Sequence, residues 1–220
     1  KLLGDSLHGV RRVVMLVMDA LGWLQLRRVM AADHNLIFHQ LAAQGQLVPI
    51  TTTFLSTTNS VLSSIWTGLP PAAHGLLAFE MYLREWLMAV EAISFSSPYA
   101  KFEGLLESWG FDPSSFLPVP SIGQTLVRQG VTSRIVIHKR FTTTPLSRMH
   151  FRGIKEIRGH SYASDFWVEL HQVLKHHLDE RLLLGGYWPA VDTLAHRFGP
   201  EDPHGVAEVR AIGLLMQRLF

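Results

Sequence analysis

The sequence predicts an α/β fold, a mostly parallel sheet sandwiched by helices, and three observations predict it. Apolar runs, several of them β-branched, recur at residues 13–18 (VVMLVM), 134–138 (RIVIH) and 182–187 (LLLGGY). Between them, apolar residues repeat at the three-to-four spacing of a helix with one buried face. The chain is 220 residues long, 47% hydrophobic and 17% charged, which gives a core-bearing chain of one domain and not a disordered one.

The elements follow in order. Residues 13–18 stop at Asp19 and are followed by Ala20, Leu21 and Gly22, as a buried parallel strand does when it leaves its sheet. Helical spacing continues through about residue 32, and residues 35–43 give a second helix closed by Gly45. Residues 47–50 read as a short strand. Val61, Leu62, Ile65 and Trp66 define a helix from Asn59, stopped by Leu69-Pro70-Pro71. The stretch from about 80 to 120 is aromatic and proline-interrupted, and reads as an insertion or lid within a single domain 1–220. Residues 122–128 form a helix ending at Gly130, 134–138 a second buried strand, and 141–159 a basic, loop-rich segment. An amphipathic helix over 165–180, a third strand over 182–187 and a helix from Pro203 to the end complete the pattern.

Composition excludes several classes of function. With no cysteine there is no disulfide, no thiolate zinc site and no cysteine nucleophile. A formal charge of +2, with no basic arm or stripe, argues against a nucleic-acid partner. No apolar run approaches the ~20 residues of a membrane helix. The chain begins at Lys1, so a removed leader stays open. The compartment is undetermined, the cytoplasm slightly favoured, and the oligomeric state is open.

Ligands of open α/β sheets sit beyond the carboxyl ends of the strands. Two acids stand there: Asp19 after the first strand and Asp192 after the third. Asp192 opens Asp192-Thr193-Leu194-Ala195-His196, and on a helical turn residues four apart share a face. Carboxylate and imidazole would then point together, as two ligands of one divalent metal do, or as a surface hydrogen bond. The hydroxyl-rich stretch 51–58 leads into the helix beginning near Asn59. Ser56, Thr57 or Thr58 there is either an N-cap or a nucleophile, since unfilled N–H groups and the helix dipole favour an anion at that end. A free threonine hydroxyl is too weakly acidic to attack at neutral pH and needs activation, which a metal supplies.

Three segments, VVMLVMDALGW, STTNSVLSSIWTGLPPAAHG and YWPAVDTLAHRFGP, closely resemble the alkaline phosphatase superfamily, within it the branch of type I phosphodiesterases and nucleotide pyrophosphatases. The resemblance covers nearly the whole chain and implies an alkaline-phosphatase-like catalytic domain. It places the nucleophile on Thr58, at the family's distance before the Thr67-Gly68 step. It implies two divalent ions, zinc as a rule, with Asp19 and the Thr58 oxygen on one and Asp192 and His196 on the other. It further implies hydrolysis of a phosphodiester or nucleotide pyrophosphate through a covalent phospho-threonine. Asn59, directly after Thr58, is the candidate substrate contact.

The family's further metal ligands, an Asp-His-Gly after another strand and one more histidine, have no counterpart here. Asp202-Pro203-His204-Gly205 imitates that motif but has no apolar strand before it, and reads as the loop opening the last helix. The expectation is a domain incomplete at its C-terminal side, with incomplete metal sites. The Cys/Ser-x-Pro-x-Arg setting of sulfatases is absent. Two alternatives stand beside the leading reading: a phosphonate hydrolase or phosphomonoesterase on the same scaffold, and a non-catalytic relative acting as a binding module. Arg148, Arg152 and His138 are weaker candidates for contact with substrate, and His74 reads as structural.

Overall fold

The computed structural model of the chain describes residues 8–99, 102 and 104–219. Phe220 and three positions of the 80–120 stretch, residues 100, 101 and 103, lie outside the described residues. In order, the elements are β1 (Arg12–Met18), α1 (Trp23–Ala32), α2 (Ile37–Gln44), α3 (Thr58–Thr67), α4 (Pro71–His74), β2 (Glu80–Leu83), β3 (Met88–Glu91), α5 (Leu105–Ser108), α6 (Pro113–Phe116) and α7 (Ile122–Arg128). They continue with β4 (Thr132–His138), α8 (Pro145–His150), β5 (Glu156–His160), α9 (Ala163–His176), β6 (Leu182–Trp188), α10 (Ala190–Phe198) and α11 (Pro203–Leu219).

Two compact units emerge. The first takes Lys1–Ile50, Arg134–Lys139 and Ile157–Phe220, and the second Thr51–Ser133 and Arg140–Glu156.

The first unit carries a four-stranded sheet in the order β1-β6-β4-β5, flanked by helices. β1 and β6 run parallel, from Arg12 opposite Leu182 to Met18 opposite Trp188. The core side of α9 is Phe166, Trp167, Leu170 and Val173, all buried, which is the spacing of one helical face. These pack with Val136 of β4 and Leu184 of β6. Gly186 lets the layers close: a Cβ there would lie 2.7 Å from Leu16 Cδ2 and 3.0 Å from Phe166 Cζ. Trp188 Nε1–H donates to Glu208 Oε1 at 2.8 Å and so ties β6 to α11.

The second unit has its own apolar core, including Leu76, Val90, Phe95, Leu106, Leu117 and Met149. Phe95 stacks on Phe111 at 4.8 Å and meets Phe116 edge-on at 5.1 Å. Residues 80–91 form an antiparallel hairpin of β2 and β3, with Glu80 opposite Glu91. Helix α3 is anchored by two serine–histidine pairs, Ser63 Oγ to His150 Nε2 at 2.8 Å and Ser64 Oγ to His74 Nε2 at 3.0 Å. The Leu76 N–H donates to His74 Nδ1, so the neutral His74 ring carries its proton on Nε2 and donates to Ser64. Gly68, with φ 72°, ends α3 in the left-handed conformation that glycine adopts without strain.

Three expectations need correction. Residues 47–50 are not a strand: Leu47, Val48 and Ile50 are exposed, Ile50 at 75%, and no ladder among the described residues takes them. The loop-rich segment 141–159 contains α8 and begins β5, a strand whose partly exposed pattern hid it. Helix α9 ends at His176, and Glu180 lies beyond it.

Candidate active site

Asp19 directly follows β1, and its backbone N–H continues the ladder to the Trp188 carbonyl at 3.0 Å. Both carboxylate oxygens are held. Tyr187 Oη–H donates to Oδ2 at 2.6 Å, and the Ala20 N–H donates to Oδ1 at 3.0 Å. Ala20 has φ 60°, a left-handed conformation that disfavours a residue with a Cβ. Such strain gathers where the surroundings over-determine the backbone, often at functional sites.

Asp192 lies in the first turn of α10, where the dipole stabilises a carboxylate, and His196 in the last. His196 Nε2 and Asp192 Oδ1 are 3.5 Å apart, one helical turn separated and on one face. The His196 side chain is 83% exposed. Because β1 and β6 are parallel neighbours, Asp19 and the Asp192–His196 pair follow the carboxyl ends of adjacent strands, at the same end of the sheet. His138 and His160 end β4 and β5, with rings 5.4 Å apart, and His160 stacks on Trp188 at 5.2 Å.

Thr58 and Asn59 belong to the second unit. Thr57 is the N-cap of α3 and Thr58 its first helical residue. The Thr57 side chain makes no capping hydrogen bond, although threonine is a common cap. Thr57 Oγ1 and Asn59 Oδ1 are both buried with no hydrogen-bond partner among the described residues. Asn59 is fully buried, and its Nδ2 donates to the Ala78 carbonyl at 2.6 Å. Two orphaned oxygens flanking Thr58 mark a helix start that the fold leaves unsatisfied, at about 1–3 kcal/mol per group.

The basic candidates are engaged internally. Arg148 pairs with Glu107 and lies 3.8 Å from Asp112, while Arg152 donates to the carbonyls of Met149, Ser114, Leu117 and Val119. His204 Nδ1 is 2.5 Å from Asp202 Oδ1, its ring stacks on Phe198 at 3.9 Å, and the Asp202 carboxylate accepts the His204 N–H at the start of α11.

Carboxylate oxygens and an imidazole nitrogen, with no thiolate, suit a divalent ion such as zinc, and the donors of Asp19, Asp192 and His196 fit it in kind. The donors that hold the Asp19 carboxylate, a phenol and a backbone N–H, are neutral and bring no competing cation. Among the described residues no group of three or more His, Asp or Glu converges on one point.

Residues 13–220 match the family described as type I phosphodiesterase/nucleotide pyrophosphatase, and the chain belongs to that family. The fold is that of the alkaline phosphatase superfamily. Phosphonoacetate hydrolase of Sinorhizobium meliloti, solved with phosphonoformate, superposes with a TM-score of 0.68 at 14% identity, covering 94% of this chain and 52% of that one. Murine ectonucleotide pyrophosphatase/phosphodiesterase 5 gives a TM-score of 0.67 at 18% identity, covering 94% and 51%. The human protein of that name gives 0.54 at 21% identity, covering 76% and 42%. The chain thus spans about half the length of the first two structures. No curated protein sequence matches it.

Tyr187 escaped the sequence reading. It sits in an apolar strand pattern, and only the register of β1 against β6 brings its hydroxyl to Asp19.

Proposed function

We propose that this protein is a divalent-metal-dependent hydrolase of phosphoric esters, of the phosphodiester or nucleotide pyrophosphate type, with Thr58 as nucleophile. The observation that carries the proposal is the pair of acids at one end of a parallel sheet, Asp19 and Asp192, the latter one helical turn from His196. In this reading Asp192 and His196 hold one ion and Asp19 a ligand position of the second, with zinc the expected metal. The ions supply Lewis acidity, which neutralises phosphoryl charge and brings a threonine hydroxyl within reach of ionisation near neutral pH.

The chain's own residues do the rest. Thr58 opens α3, where the helix dipole favours an alkoxide or a phosphoryl oxygen. Its Oγ, once deprotonated, attacks phosphorus and expels the ester oxygen, leaving a phospho-threonine that water then cleaves. Two serine–histidine pairs anchor the body of α3, and the buried Asn59 ties its first turn to the Ala78 carbonyl, next to the nucleophile. An inactive threonine-to-alanine variant of the murine relative, solved in complex with AMP, supports a threonine in this role.

The test is a pair of variants in the full-length protein. Thr58→Ala is expected to lower hydrolysis of bis(p-nitrophenyl) phosphate by at least about 10³-fold, as removal of a nucleophile does. Thr57→Ala is expected to retain much of the activity. Wild-type turnover by Thr58→Ala would sink the assignment. The likeness to phosphonoacetate hydrolase favours a second reading, a carbon–phosphorus substrate on the same nucleophile. A panel of phosphodiesters, nucleotide pyrophosphates and phosphonoacetate decides between the two.

A further inference from the structure

We infer that Tyr187 is a positioning residue for Asp19, aiming its carboxylate at a bound cation; the inference rests on the reading of Asp19 as a metal ligand. Tyr187 is 6% exposed and stands opposite Val17 in the parallel ladder. Side chains two residues apart on a strand share a face, so Val17 and Asp19 both lie on the face that Tyr187 occupies. The phenol therefore lies along that face and meets Oδ2 at 2.6 Å, a short charge-assisted bond. With the Ala20 N–H on Oδ1, the carboxylate is gripped at both oxygens and cannot swing about its terminal torsion.

The chemistry of the partner matters. An arginine or lysine in this place would fix the carboxylate equally well, but its charge would repel an incoming metal. A neutral phenol orients the anion and leaves its charge to be neutralised by the ion. Phenylalanine would fill the same space in an otherwise apolar strand, so the hydroxyl is the feature that packing does not require. Groups that orient metal ligands in this way change metal affinity about 10–100-fold when removed.

The test compares wild type, Tyr187→Phe and Asp19→Asn in the full-length protein. Zinc dissociation constants are read by competition with a chromophoric chelator, and the visible absorption of the Co²⁺-substituted protein reports ligand geometry. Tyr187→Phe is expected to weaken one ion about 10–100-fold and alter the Co²⁺ bands, whereas Asp19→Asn is expected to lose that ion. A role confined to strand packing would move the unfolding midpoint without touching the Co²⁺ spectrum. Should Tyr187→Phe fail to fold, site-specific fluorotyrosine at position 187 keeps the shape and strengthens the donor. Wild-type affinity and spectrum in the tyrosine variant, beside loss of an ion in Asp19→Asn, would overturn this inference alone. Two ions held by Asp19→Asn as tightly as by wild type, or no divalent ion held by wild type, would overturn the metal reading beneath it.

Discussion

Two buried histidines govern how the molecule meets acid. His160 is 1% exposed and stacked on Trp188. Burial, assisted by His138, pushes its pKa down to about 4, against the opposing pull of Asp165 and the carbonyls of Tyr187 and Tyr162. His150, sealed against Ser63, is pushed down to about 3, again chiefly by burial. In the unfolded chain both titrate near the ordinary histidine value of about 6.5. Between that pH and the folded value, the unfolded state binds a proton that the folded state refuses. Stability is therefore full above about pH 6.5 and falls as the pH is lowered, by up to about 1.4 kcal/mol per pH unit for each histidine. His160→Phe keeps the stacked ring and removes the titration. Its unfolding midpoint is expected to change less than that of wild type between pH 7 and 4.5, as thermal melts would show. Equal slopes in the two proteins would refute the account.

At the scale of elements, two contacts set the sheet of the first unit. Arg134 of β4 is 3% exposed and donates twice to Glu180, at 2.6 and 3.1 Å. A guanidinium taken from water in this way is stable only while it is paired. Glu180→Ala is expected to destabilise by about 2–3 kcal/mol, below the range for a fully buried pair because the glutamate is partly solvated. Urea unfolding with an unchanged m-value would measure it. Gly186 is the second contact. A methyl group there meets Leu16 and Phe166 closer than side-chain carbons approach, so Gly186→Ala is expected to lose about 1–3 kcal/mol by overpacking. A neutral Gly186→Ala would mean that the layer between β6 and α9 can relax.

At the scale of the molecule, each unit holds its own apolar core, so the fold is expected to persist without bound ions. Chelation is accordingly expected to abolish ester hydrolysis in the full-length protein while leaving far-UV circular dichroism unchanged. Activity that survives exhaustive dialysis against chelator would contradict the metal reading. Among the described residues no helix is long and apolar enough to cross a membrane.

The sequence by itself determined the elements whose information is local. The run 13–18 became β1, 182–187 became most of β6, and the apolar spacing read over 165–180 became α9 (which stops sooner, at His176), because burial of one face or both is written in consecutive residues. It also marked Asp19, Asp192 and His196, since an acid at a strand end and a one-turn spacing are local features. Tertiary structure decided what depends on a partner far along the chain. Residues 47–50 have strand-like composition, yet a strand exists only where a neighbour takes up its N–H and C=O groups, and none of the described residues does. The sealed rings of His150 and His160 and the grip of Tyr187 on Asp19 have the same origin. Each arises from contact between segments up to 168 residues apart, where the local pattern shows only a histidine or an aromatic in a strand.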